Sequence, residues 1–174
     1  MNRSLVFGRV FACGILASSS SSAATLYVKP AATGNCSSWV LACSLPTAIS
    51  NAVSGDAIWV AAGTYQPFAL INGVKIIGGF AGTETTASQS DPTMNQTIVD
   101  AALTDRCVSS SGEGPTTMLR GFILRNGRAT GTDQWGGGIY LENSSAMIVQ
   151  CVIESCSADY FGGGASIAGT GTPE

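Results

Sequence analysis

The chain has 174 residues, long enough for one domain with a real core. Only 11% of its residues are charged and 22 are glycine, which fits a turn-rich β protein and excludes charge-driven disorder. The net charge of −3 excludes a basic field for nucleic acid, and the absence of histidine removes the commonest general base and metal ligand.

Residues 1–24 have the order of a secretory signal peptide. Arg3 and Arg9 supply positive charge, residues 10–17 form a short apolar run, and Ser22, Ala23 and Ala24 are small residues that place a peptidase cut before Thr25. The run is too short to span a bilayer. Cys13 leaves a lipidated-cysteine reading open. Without residues 1–24 the chain carries six basic and eleven acidic residues, a net charge of −5.

Export permits disulfides, and five cysteines remain: Cys36, Cys43, Cys107, Cys151 and Cys156. Cys36 and Cys43 bracket a compact loop and are expected to pair. Cys151 and Cys156, close in sequence, are the second candidate pair. An odd number leaves at least one thiol over, or means that the chain is incomplete. Zinc is the weaker alternative, because no CxxC pair exists.

Residues 25–56 read as an N-terminal cap. Residues 25–29 alternate as a first strand, and 30–38 form a loop. A helix is expected over 45–54, where Leu45, Ala48, Ile49, Ala52 and Val53 make one apolar stripe. Ser44 suits its N-cap, Pro46 its first turn and Gly55 its end. One amphipathic helix ahead of stacked strands reads as a lid over an exposed strand edge.

Residues 57–168 read as stacked strands. The apolar runs 57–61, 68–71 and 74–77 end at the turn signals Gly63, Asn72-Gly73 and Gly78-Gly79. Residues 81–96 are polar and read as a loop leaving the body. Further strands are expected at 97–100 and 106–109, and over 118–125 with a kink at Gly121. An internal repeat follows. Ile123 and Asn126 lead to Gly136, Gly137 and Gly138; Ile153 and Cys156 lead to Gly162, Gly163 and Gly164. The two copies lie 30 residues apart at the isoleucines and 26 apart at the glycines, a spacing typical of solenoids. The glycines read as structural turns between stacked strands. The tail 169–174 carries no capping element, so an open C-terminal edge is expected to self-associate, or more chain follows.

The motifs SSWVLACSLPTAISNAVSGDAIWVAAGTYQPF, NGVKIIGGFAGTET, TIVDA and LRGFILRNG and the two glycine triplets cover about residues 27–167. On them the chain resembles bacterial right-handed parallel β-helix proteins of the polymorphic outer membrane protein type. The resemblance implies an all-β, right-handed parallel β-helix with an N-terminal amphipathic capping helix, secreted or at the cell surface. It also implies an inward asparagine after Phe/Ile-x-x, which Asn126 matches and Cys156 replaces in the second copy. Such a fold hosts adhesins and polysaccharide-cleaving enzymes alike.

The first expectation for function is an exported, non-catalytic surface or adhesion protein that meets an extracellular glycan or a surface protein. Tyr140, Trp135, Tyr160 and Phe161 are candidate contacts; for Trp135 and Phe161, packing beside the glycine triplets is the competing reading. The second is a polysaccharide lyase or glycoside hydrolase using Asp100, Asp105 and Arg106, or Arg120, Arg125 and Glu154. A hydrolase needs two carboxylates about 5–9.5 Å apart. Asp100 and Asp105 also offer oxygen ligands for Ca²⁺. The third is a remnant of a longer surface protein. No nucleic-acid partner and no membrane-spanning segment is expected, and the glycines at 78–82 lack the following Lys-Ser/Thr of a phosphate loop.

Overall fold

The computed structural model describes residues 22–131 and 135–169. Most of the segment 1–24 that was read as a signal peptide, up to residue 21, and the tail beyond Gly169 therefore lie outside the described residues. One α-helix, α1 (Leu45–Asn51), accompanies fifteen short strands among the described residues. In chain order these are β1 (Thr25–Val28), β2 (Ala57–Ala61), β3 (Gly63–Tyr65), β4 (Phe68–Ala69), β5 (Lys75–Phe80), β6 (Thr97–Asp100), β7 (Val108–Ser111) and β8 (Met118–Arg120). They continue with β9 (Phe122–Arg125), β10 (Arg128–Ala129), β11 (Ile139–Glu142), β12 (Met147–Val149), β13 (Val152–Glu154), β14 (Ser157–Ala158) and β15 (Ala165–Ala168).

Every strand pairing is parallel. The first sheet has the order β1-β2-β5-β8-β12, the second β13-β9-β6-β3 and the third β15-β11-β7-β4; β10 and β14 form a small fourth. From β2 onward the chain visits the first, second and third sheets in turn, then repeats the circuit. Parallel pairing puts like positions above one another wherever the register is kept. In the first sheet Leu26, Ile58, Ile76, Leu119 and Ile148 form one aliphatic column. In the second, Tyr65, Val99, Leu124 and Ile153 form another. These columns meet in one core, together with Val108, Ile139 and Leu141 of the third sheet. Burial of each side chain relative to water contributes about 1.5–3 kcal/mol for residues of this size.

The sequence expectation of strands broadly holds, with corrections in detail. The strand expected at 68–71 is only β4, while β3 occupies a stretch read as a turn at Gly63. Gly78 and Gly79 do not end a strand but lie inside β5, where the register against β2 shifts between Trp59 and Ala61. A Cβ on Gly78 would stand 2.7 Å from the Gly121 carbonyl oxygen, so only glycine fits under the neighbouring strand. The helix stops at Asn51, because the Asp56 carboxylate accepts the Val53 N–H at 3.0 Å and draws it from the helical ladder. Its start is as read: Ser44 Oγ accepts from Thr47 N at 3.3 Å.

The loop 81–96 does not leave the body. Ser90 Oγ donates to the Gly78 carbonyl at 2.7 Å, and Asp91 N donates to the Gly79 carbonyl at 2.7 Å. It folds beside an outer aromatic cluster, where Trp59 stacks on Phe80 at 4.9 Å and Trp39 Nε1 donates to the Glu84 carbonyl at 2.8 Å. The Glu84 carboxyl, raised somewhat by burial, is held below its ordinary range by the backbone N–H groups of Ala81, Thr83 and Gly82.

The two glycine triplets stack as the repeat implied. Gly138 N donates to the Gly163 carbonyl at 3.1 Å and Ile139 N to the Gly164 carbonyl at 2.9 Å. A Cβ on Gly138 would lie 2.4 Å from the Gly164 oxygen. The isoleucine copies are offset differently from the sequence reading: Ile123 pairs with Val152, and Leu124 pairs with Ile153. A slip of one residue exchanges inward and outward faces, and it is Leu124 that is fully buried. Gly138→Ala is therefore expected to cost about 1–3 kcal/mol, read from urea midpoints. Gly114→Ala, where a Cβ would meet only Asn72 Oδ1 at 3.5 Å, is expected to be near neutral.

Candidate functional site

The outer face of the third sheet carries the most concentrated exposed chemistry. In β7 Val108 and Ser110 point inward, so Ser109 and Ser111 point out; in β11 Ile139 and Leu141 point inward, so Tyr140 and Glu142 point out. Register then places Ala69, Ser109, Tyr140 and Ser166 in one outward row. Ser111 and Glu142 lead the next, joined by a 3.2 Å hydrogen bond from Ser111 Oγ to Glu142 Oε2. Small residues on either side leave Tyr140 standing above a shallow floor.

Two clefts meet on this floor, sharing Ala69, Arg106 and Ser109. One of about 470 Å³ reaches Phe68, Asp105 and Thr130. The other, about 250 Å³, reaches Glu113, Tyr140 and Glu142. The Arg106 guanidinium lies over the Tyr140 ring, 4.7 Å from its centroid. A contact of this kind is worth about 0.5–1 kcal/mol at an exposed site. Trp135, whose centroid is 6.3 Å from that of Tyr140, extends the aromatic surface and is 41% exposed. Behind the floor, the Ser110 hydroxyl bonds to the Glu113 carboxylate and lies 2.6 Å from the Ser144 hydroxyl. Both serines are buried, so this network anchors Glu113 to the sheet.

The residues singled out in the sequence do not form one set. Asp105 and Arg106 line the groove. Asp100 belongs to the second sheet, where its carboxylate takes Arg125 Nε at 2.8 Å, Asn126 Nδ2 at 3.0 Å and Ala102 N at 3.0 Å. These donors, the Asn126 amide foremost, hold it below its ordinary range. Asp105 Oδ1 accepts from Arg106 N at 2.7 Å. Arg120 donates to Gln150 Oε1 at 2.9 Å, and Glu154 is exposed on β13. Among the described residues no group of three or more Cys, Asp or Glu is gathered as a metal site. Asn126 does not point into a ladder; its amide serves Asp100. Glu113, Glu142, Ser109 and Ser111 were missed in the sequence: the register of β7 against β11 brings the last three together, and the bond to Ser110 places Glu113.

Cys36 and Cys43 form a disulfide. Cys151 and Cys156 are not joined and stand as thiols. Cys156 sits at the corner after β13, where its Sγ accepts from Gly127 N at 3.3 Å, and the Cys107 thiol donates to the Arg125 carbonyl at 3.3 Å. Burial, aided by Cys156, pushes Cys107 up to about 12. Trp135 and Phe161 meet as a parallel bridge beside the glycine triplets, yet both remain exposed, as does Tyr160. No helix among the described residues is long and apolar enough to cross a membrane.

Comparison with protein-family models, with curated proteins and with solved structures returned no match.

The Asp100 cluster sets a pH dependence. Its carboxyl is depressed in the folded state, so the stabilisation is present above the unfolded value, about 3.9, and is lost as pH falls through the folded one. Asp100→Asn is expected to cost about 1 kcal/mol or less at pH 7, and the gap to the parent is expected to close between pH 4 and pH 2. Urea midpoints at these pH values check it; a gap that stays constant contradicts it.

Proposed function

We propose that this chain is an exported, non-catalytic surface module, built as a right-handed parallel β-helix, whose third-sheet groove binds an extracellular glycan. The sheet order supports the solenoid reading: each circuit of the chain adds one strand to each of three parallel sheets. On this reading α1, packed against β1 and β2, serves as the cap of the N-terminal end. The Cys36–Cys43 disulfide supports an oxidising compartment.

The observation that carries the binding reading is the Arg106–Tyr140–Trp135 surface above a floor of serines. A sugar ring offers C–H faces to an aromatic and hydroxyl edges to serine, arginine and carboxylate groups. This groove sets both kinds of partner side by side. The outward row is one side chain wide along the stack, which suits a linear chain laid across successive strands. Phe68, Asp105 and Thr130 extend it on one side, Glu142 on the other.

A second reading is favoured by one feature: Glu113 and Glu142 line the same cleft as Arg106. That set carries the acidic and basic groups of a polysaccharide lyase or hydrolase. Against it, Glu113 is tied to Ser110 and Ser144 in a buried network, which holds it as part of the scaffold.

Titration of neutral and uronic-acid polysaccharides against the exported protein, followed by tryptophan fluorescence, tests both. Binding is expected, with Arg106→Ala and Tyr140→Ala each weakening it about tenfold, the effect of losing about 1.4 kcal/mol. Absence of binding to every class sinks the glycan reading. Release of reducing or unsaturated ends, abolished by Glu142→Gln, would establish the enzymatic one instead.

A further inference from the structure

Asp56 is a buried carboxylate, 4% exposed, at the start of β2. One oxygen accepts the Val53 N–H at 3.0 Å. The other accepts the Ala24 N–H at 2.8 Å. The ion pairs among the described residues, Arg125 with Asp100 and Arg128 with Asp159, leave Asp56 out. A carboxylate removed from water with amide donors alone bears a desolvation cost that a cation would offset.

Ala24 is also the last residue before β1. Its carbonyl accepts the Ala57 N–H at 2.9 Å, which begins the ladder between β1 and β2. A cut before Thr25 would remove both contacts. It would strip one donor from Asp56 and leave the Ala57 N–H without its acceptor. A cut one residue earlier, between Ala23 and Ala24, keeps both. It also turns the Ala24 amide nitrogen into an α-ammonium, charged below about pH 8, at the atom already 2.8 Å from Asp56. The sequence permits either position, since Ser21 and Ala23 are as small as Ser22 and Ala24.

We infer that Asp56 is the docking site for the chain's own processed N-terminus, and that processing falls between Ala23 and Ala24. The inference rests on the export reading and goes beyond it by assigning the processed bond and the group that receives the new terminus. Hydrolysis of the Ala23–Ala24 peptide bond consumes one water, leaves the carboxylate on Ala23 and frees the amine of Ala24. Protonated, that amine forms a charge-assisted hydrogen bond with Asp56. The first strand is thereby held at its beginning by an ion pair under the helix end, where Val53 already shares the same carboxylate.

The full chain, residues 1–174, is exported from a bacterial host, and the product is read by intact mass and N-terminal sequencing. A start at Ala24 is expected. A start at Thr25 or at Ser22 overturns this inference while leaving export standing; retention of Met1 overturns both. A second measurement tests the pair itself. Chains beginning at Ala24 and at Ser22 are compared, each with and without Asp56→Asn. The longer chain keeps the Ala24 N–H but moves the positive charge away. The Ala24 chain is expected to melt about 3 °C higher, and the difference is expected to vanish with Asp56→Asn. An equal difference in both backgrounds overturns the ion pair.

Discussion

Parallel, in-register strand pairing is the constraint on which the rest of this protein depends. In a parallel ladder each residue sits on its counterpart one circuit away, so a side chain must suit the one above and the one below. The column Leu26, Ile58, Ile76, Leu119, Ile148 meets that demand with five branched aliphatics in a row. Where backbone meets backbone the demand inverts. At Gly137 a Cβ would fall 2.0 Å from the Ser157 carbonyl oxygen, so the corner admits no side chain at all. The core and the glycine corners are two consequences of one geometry.

Much of this was legible in the sequence. Short β-branched runs between glycines marked the strands, and the paired glycine triplets marked the repeat. Strand β6 was read at its observed limits, and the kink at Gly121 between β8 and β9 is present with φ of 75°. What failed was finer than the pattern. Gly78 and Gly79 carry a turn signature in sequence, but the neighbouring strand approaches so closely at Gly121 that glycine is needed inside β5. The repeat was offset by one residue because Val152 and Ile153 are both branched apolar residues, and only pairing decides which faces Leu124. The polar loop 81–96 looked detached because its contacts are hydrogen bonds from Ser90 and Asp91 to backbone, which composition does not reveal.

The candidate site was less legible for the same reason. A groove on a sheet face is assembled from residues about one circuit apart, so Ser109 and Tyr140 become neighbours only once β7 and β11 are in register. Arg106 was singled out as a possible catalytic group, and its guanidinium lies over the Tyr140 ring on this face. Asp100 was singled out with it, yet it belongs to a different sheet and holds Arg125 and Asn126. Burial also declines along the stack. The interior columns are fully buried at Ile58, Ile76 and Leu119, but Ile153 is only partly covered and Ile167 is 55% exposed. Among the described residues β12, β13 and β15 stand at the ends of their sheets and pair with a strand on one side only.

Hydrogen–deuterium exchange resolved by peptide mass spectrometry tests this stacking most directly. Protection in a stack of parallel strands follows how many circuits cover each strand. The slowest exchange is predicted for residues 57–61, 75–80, 97–100 and 118–125, with progressively faster exchange over 139–142 and 147–168. Uniform protection along the chain, or greatest protection in the last circuit, would contradict the stacked register on which the groove and the core both rest.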